Sequence, residues 1–180
     1  SPEIYRKYRK NLGLNSKSKI ILFIGRLTED KGILDLVKAF DLVCKDINDV
    51  YLILVGPDEG EIIKKVNLIS SNRSTILFYD YTQEPEYYMQ VSDILCLPSY
   101  REGFGNVIIE AAMCGIPSIT SSIYGLSDAV ESNSTGTTFN VGDIDELSYL
   151  IRDLINNQEK RLRLGNEALK RANNFFSSDL

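Results

Sequence analysis

KIILFIGRLTEDKGILDLVKAFDLVCKD (residues 19–46) joins two hydrophobic periods across a short polar loop. The run KIILFIG (19–25) is apolar at consecutive positions and stops at Gly25, the pattern of a strand buried on both faces. From Gly32 onward Ile33, Leu34, Val37, Phe40, Leu42 and Val43 recur near helical spacing. A buried strand feeding a helix through a tight loop is the opening of a parallel crossover unit.

The rest of the chain repeats that rhythm. VYLILVGP (50–57), TILFYDY (75–81), DILCLPS (93–99), IPSITS (116–121) and TTFNVG (137–142) read as strands. Between and after them, EIIKKVNLISS (61–71), PEYYMQVS (85–92), residues 106–114, DIDELSYLIRDLINN (143–157) and EKRLRLGNEALKRANNFF (159–176) read as helices. Gly115 suits a helix stop and Pro117 follows where helix cannot continue. The expected fold class is α/β: one doubly wound, Rossmann-like parallel sheet covered on both faces, with residues 1–180 forming a single domain. In such sheets ligands sit beyond the carboxyl ends of the strands, near the switch in strand order. The loops that matter are therefore GRLTEDKG (25–32), GPDEG (56–60), YDYTQE (79–84), SYREGFGN (99–106) and SIYGLSD (122–128).

Bulk properties narrow the function. With 43% hydrophobic and 25% charged residues over 180 positions, the chain has the composition and length for one well-filled core. A formal net charge of −5 argues against a general nucleic-acid or membrane-surface binder, while leaving room for a small basic pocket. No apolar run approaches the ~20 residues of a membrane span, and SPEIYRKYRK does not read as a signal peptide. The absence of histidine removes His-based triads, His metal sites and His general bases from this chain. Cys44, Cys96 and Cys114, odd in number and in apolar surroundings, read as buried free thiols in a reducing compartment.

Two segments carry candidate chemistry. In GRLTEDKG, Arg26 offers a guanidinium fork and Lys31 a point charge, while Gly25 and Gly32 permit close backbone approach before a helix N-terminus. Together these suit a diphosphate; the plain alternative is two solvated cations paired with Glu29 and Asp30. In SYREGFGNVIIEAAMCGIP (99–117), Gly103 and Gly105 place Glu102 on a loop, Asn106 caps or begins a helix, and Glu110 lies about one turn in. The two carboxylates then project into one crevice and could grip separate hydroxyl-bearing parts of one extended ligand. The alternative is a surface Glu plus one that favours the helix dipole.

Other patterns read as structural. GFGNVI departs from the dinucleotide fingerprint G-x-G-x-x-G, with Ile108 at the third glycine and the wrong strand before it. DID (143–145) looks like a metal-binding D-x-D but fits a helix start better, Asp143 capping and Asp145 and Glu146 in the first turn. Tyr79, Tyr81 and Tyr100 sit at strand ends, open between core, rim and base stacking; Tyr79 and Tyr81 are kept as candidates for the nucleobase.

Taken in order, GRLTEDKGILDLVKAF, LILVGPDEG, SDILCLPSYREGFGNVIIEAAMCGIPSITS and STGTTFNVGDIDELSYLIRDLI resemble the C-terminal, donor-binding domain of retaining GT-B glycosyltransferases of the family 4 group. The resemblance implies a nucleotide-sugar site without a metal, the donor being UDP- or GDP-linked. It implies that Arg26 and Lys31 hold the diphosphate, that Glu102 faces the sugar hydroxyls, and that Glu110 binds the ribose. Gly103, Phe104, Gly105 and Asn106 would wrap sugar and phosphate. It also implies a cytoplasmic enzyme, working near a membrane in surface polysaccharide assembly, whose acceptor saccharide or lipid-linked glycan binds an N-terminal domain missing from this chain.

Departures from the pattern are specific. Phe78-Tyr79-Asp80 puts Asp80 where the family often has glycine, and Gly125-Leu126-Ser127-Asp128 carries a shorter acid than the usual glutamate. The chain stops at FFSSDL, before the terminal helix the resemblance leads one to expect. Two competing expectations are a nicotinamide-binding domain on the same architecture and a non-catalytic interaction module.

Overall fold

The computed structural model describes residues 2–103 and 105–177. Its strands are β1 (Lys19–Ile24), β2 (Val50–Val55), β3 (Ile76–Tyr79), β4 (Ile94–Leu97), β5 (Ser118–Ser121) and β6 (Gly136–Phe139). They form one sheet in the order β3-β2-β1-β4-β5-β6, and every pairing is parallel. The helices are α1 (Pro2–Asn11), α2 (Ile33–Val43), α3 (Ile62–Ile69), α4 (Pro85–Val91), α5 (Asn106–Met113), α6 (Ile144–Asn156) and α7 (Gln158–Ser177). The doubly wound parallel sheet expected from the sequence is the observed one.

Burial explains why these segments are strands. Ile20, Ile21, Leu22 and Phe23 are all fully buried, so both faces of β1 are covered and no polar alternation is tolerated. Strand β1 pairs with β2 from Lys19↔Val50 to Ile24↔Val55 on one edge and with β4 at Ile21↔Ile94 and Leu22↔Leu95 on the other. The strand order reverses there, and the loops leaving β1 and β4 part to open a crevice. On α2 the buried stripe is Ile33, Leu36, Val37, Ala39, Phe40 and Val43, whereas Leu34 and Leu42 are only partly covered.

Helix α6 starts as the sequence indicates: the Asp143 carboxylate accepts from the Glu146 amide at 2.9 Å. Of the cysteines, all free, only Cys96 is fully buried; Cys44 and Cys114 are half-covered. Loss of hydration, followed by the nearby Asp41 charge, pushes the Cys44 thiol up to about 11. No described helix is long and apolar enough to cross a membrane.

Helix α1 has no counterpart in the sequence reading. Its anchor is Arg9, fully buried, whose guanidinium donates to the carbonyls of Val91 (2.8 Å) and Ser18 (2.6 Å) and reaches the Asp93 carboxylate at 3.4 Å. Asp93 also pairs with buried Arg161 of α7 at 3.2 Å and accepts from the Ile20 amide at 2.9 Å. One carboxylate thus ties α1, α7, β1 and the entry to β4, at the end of the sheet opposite the crevice. Removing it would strand two buried guanidinia, a change that typically costs about 3–5 kcal/mol. Asp93→Ala is expected to lower unfolding free energy by about that amount in urea titration, while Lys64→Ala, which removes an exposed pair with Glu61, stays within ~0.5 kcal/mol of the parent.

Candidate functional site

The crevice at the β1/β4 switch is a cleft of about 580 Å³. That size falls within the usual range for small-molecule sites. Arg26, Lys31, Glu102 and Glu110 all line it, together with Gly25, Gly105, Asn106 and Tyr81. These residues come from three strand-end loops and the first turns of α5, so only the folded sheet brings them together.

The loops are pinned to each other by their backbones. After β1 the chain makes a 3-10 turn at Glu29–Lys31 and then enters α2 through Gly32 at φ +69. A Cβ at Gly32 would lie 2.0 Å from the Pro98 carbonyl oxygen, so only glycine lets this loop sit against the end of β4. The Tyr100 amide donates to the Asp30 carbonyl at 2.8 Å, which closes the contact. A second close approach fixes the far wall. Gly125, at φ +93, lies where a Cβ would come within 2.2 Å of the Gly103 carbonyl oxygen.

Lys31 is the recessed cation. Its ammonium donates to both oxygens of Glu102 at 3.0 Å and to the Arg101 carbonyl at 3.3 Å. Glu102 also accepts from the Ser99 hydroxyl at 3.1 Å. The side chains of Lys31 and Glu102 are 13% and 20% exposed, so this pair is held more firmly than a typical surface pair. Arg26 is the outer cation, 59% exposed and paired with Glu59 at 3.0 Å. Neither cation pairs with Glu29 or Asp30, as proximity in sequence would have it. Glu29 binds Lys65 at 2.7 Å, and Asp30 accepts from the Thr28 hydroxyl at 2.6 Å. That hydroxyl first, and Lys31 more weakly, hold the Asp30 carboxyl below its ordinary pKa.

Helix α5 begins at the cleft, with Gly105 preceding it and Asn106 as its first residue. Asn106 begins the helix rather than capping it, and Glu110 follows one turn later. Loss of hydration, then the Glu86 charge, raises the pKa of Glu110 above that of an ordinary glutamate. A cation, a hydroxyl-accepting carboxylate beside it, and a helix N-terminus facing the same space form a site for an anion attached to a polyol.

The remaining candidates divide. Tyr81 lines the cleft and is 71% exposed, free to present a ring face. Tyr79 does not reach the cleft: it is half-buried, packed against Tyr88 with ring centroids 5.2 Å apart. The strand ends at Tyr79, so Tyr81 lies past the sheet, in the loop that borders the cleft. Gly103 is exposed on the loop and does not line the cleft, and Phe104 lies outside the described residues. Asp80 caps its neighbour, accepting from the Tyr81 amide at 2.7 Å, and neither Asp80 nor Asp128 lines the cleft. Lining residues missed from the sequence include Pro57, Glu59, Thr82, Pro85 and Val107. Pro57 and Glu59 lie in GPDEG, a strand-end loop, and that position was the available signal. Among the described residues, no group of three or more His, Cys, Asp or Glu is arranged to hold a metal ion.

Comparison with known proteins gives the geometry a context. The chain is 31% identical over 180 residues to a capsular polysaccharide biosynthesis glycosyltransferase, CapM, of Staphylococcus aureus, covering 99% of this chain and 47% of that protein. In structure it superposes on Anabaena Alr3699/HepE, solved in complex with UDP-glucose, with a TM-score of 0.87 and 26% identity, over 97% of this chain and 49% of that one. Its fold also matches the C-terminal domain of a glycosyl transferase group 1 family protein (LpcC) from Francisella tularensis. The TM-score is 0.84 at 15% identity, over 96% of this chain and 92% of that domain. The chain spans about half the length of the curated relatives it matches. The family model described as glycosyl transferases group 1 matches residues 5–171, and the chain therefore belongs to that family of GT-B glycosyltransferases.

Proposed function

We propose that this chain is the donor-binding, C-terminal half of a retaining glycosyltransferase. It moves a hexosyl group from a UDP- or GDP-sugar to a saccharide or lipid-linked acceptor held by an N-terminal domain. The observation that carries the reading is the convergence of Lys31, Arg26, Glu102 and Glu110 on one cleft at the switch point. The UDP-glucose held by HepE, and the capsular polysaccharide role of CapM, support the donor class and a setting in surface polysaccharide assembly. The proposed enzyme is cytoplasmic and works at the inner face of a membrane.

The roles follow from position. Lys31 and Glu102 lie 3.0 Å apart, so a ligand with an anion next to a hydroxyl-bearing group can meet both at once. That junction is the bond between diphosphate and sugar. Glu110, beyond the α5 N-terminus, takes the ribose hydroxyls, and Tyr81 lies where the base would emerge. As the glycosidic bond breaks, charge builds on the diphosphate. Lys31, Arg26 and the α5 amides counter it from fixed positions, the kind of preorganised charge that dominates such catalysis. These cations take the part that a metal plays in other transferases.

Three outcomes test the assignment in the full-length protein. Lys31→Ala should slow kcat by about 10²-fold, close to 3 kcal/mol of barrier, because a recessed cation cannot be replaced by water. Arg26→Ala should cost less, about tenfold, because its site is open to solvent. Near-normal kcat in both variants removes the proposed role. UDP-glucose affinity should fall as pH drops through the raised pKa of Glu110, because the protonated carboxyl loses acceptor capacity for hydroxyl donors. Calorimetric titration between about pH 4 and 8 should show that fall beginning above the ordinary glutamate range, and Glu110→Gln should flatten it.

A further inference from the structure

Glu59 has no part in the donor-site reading, yet it faces the same cleft as Arg26 and takes that cation at 3.0 Å. Its position is built by the backbone. The Leu27 amide donates to the Pro57 carbonyl at 2.8 Å, and the Glu59 amide donates to the Leu27 carbonyl at 3.2 Å. These bonds, with the Leu27↔Asp58 bridge, extend the β1–β2 pairing past the ends of both strands. Asp58 is fixed in turn, its carboxylate accepting from the Ile62 amide at 2.7 Å and the Ile63 amide at 3.2 Å at the start of α3. The Glu59 backbone is therefore fixed beside Arg26, and its carboxylate takes the guanidinium that the donor-site reading gives to a phosphate.

An acid at that point opposes an anionic ligand unless it has another task. Both partners are about half exposed, 59% for Arg26 and 45% for Glu59, so their pair is worth little and breaks readily. Lys31 differs, being recessed against a carboxylate that itself belongs to the donor site.

Resting on the donor-site reading, we propose that Glu59 is an internal counter-anion for Arg26. It occupies the guanidinium while the cleft is empty and yields it to the diphosphate. The exchange lowers the affinity of a ligand whose phosphates take Arg26 and leaves untouched one held at Lys31 alone. A diphosphate that spans Lys31 and Arg26 must part the pair, whereas a single phosphate at Lys31 leaves it closed. Glu59 thus tunes how tightly the diphosphate is held.

The test is calorimetric titration of UDP and UMP into the protein, its Glu59→Gln variant, and both forms in an Arg26→Ala background. Glu59→Gln should tighten UDP by about two- to fivefold, the range set by an exposed ion pair. UMP should change little, because a single phosphate held at Lys31 leaves the pair closed, and an equal gain for UMP would overturn the proposal. The UDP gain should shrink in the Arg26→Ala background, where no pair needs breaking. Weaker UDP binding by Glu59→Gln would make Glu59 a direct ligand contact and overturn the proposal. Unchanged UDP binding, or an equal gain with and without Arg26, would overturn it as well. All of these leave the donor-site reading standing if Arg26→Ala weakens UDP. Binding of UDP by none of the four forms would remove both.

Discussion

Hydrogen bonding along both edges of β1 governs everything else in this chain. Because β1 pairs in parallel with β2 on one side and β4 on the other, its crossovers must leave in opposite directions. The loop after β1 then parts from the loop after β4, and the gap between them is the cleft. Strands buried on both faces keep the sheet's own side chains away from solvent and ligand, so chemistry collects at the strand ends. The Asp93 cluster with Arg9 and Arg161 clamps the opposite end of the sheet, where its buried charges face no ligand.

The cleft is a charge problem solved in pairs. Two cations in a half-enclosed space would repel, and each is met by a carboxylate at 3.0 Å. The two pairs differ in depth. Lys31–Glu102 is recessed, and Arg26–Glu59 is open to water and to salt. In the proposed donor complex Glu102 turns from counter-ion into hydroxyl acceptor and Glu59 gives up its cation, so each cation of the free site is already matched and poised for anion exchange.

Most of the fold could be read from the sequence because a strand buried on both faces leaves an unbroken apolar run, as in Ile20–Phe23. Helix α1 could not. Its key buried side chain is Arg9, and a periodicity argument assigns arginine to the surface. Convergence of Arg26, Lys31, Glu102 and Glu110 followed from the general rule that ligands sit at strand ends. The partners of the cations did not follow. Sequence proximity favoured Glu29 and Asp30, but the 3-10 turn sends those acids to Lys65 and Thr28. The true partners are 33 and 71 residues away. Tyr79 and Tyr81 read alike in the sequence because both fall at a strand end. The end of β3 at Tyr79 separates them, sending one ring to Tyr88 and the other to the cleft.

A crystal structure of the protein grown with UDP tests the central claim most directly. The account predicts diphosphate oxygens bonded to the Lys31 ammonium and to the amides opening α5, with the ribose on Glu110 and the Arg26–Glu59 pair parted. Nucleotide bound in the groove between residues 131–135 and α7, with Lys31 still closed on Glu102, would contradict it.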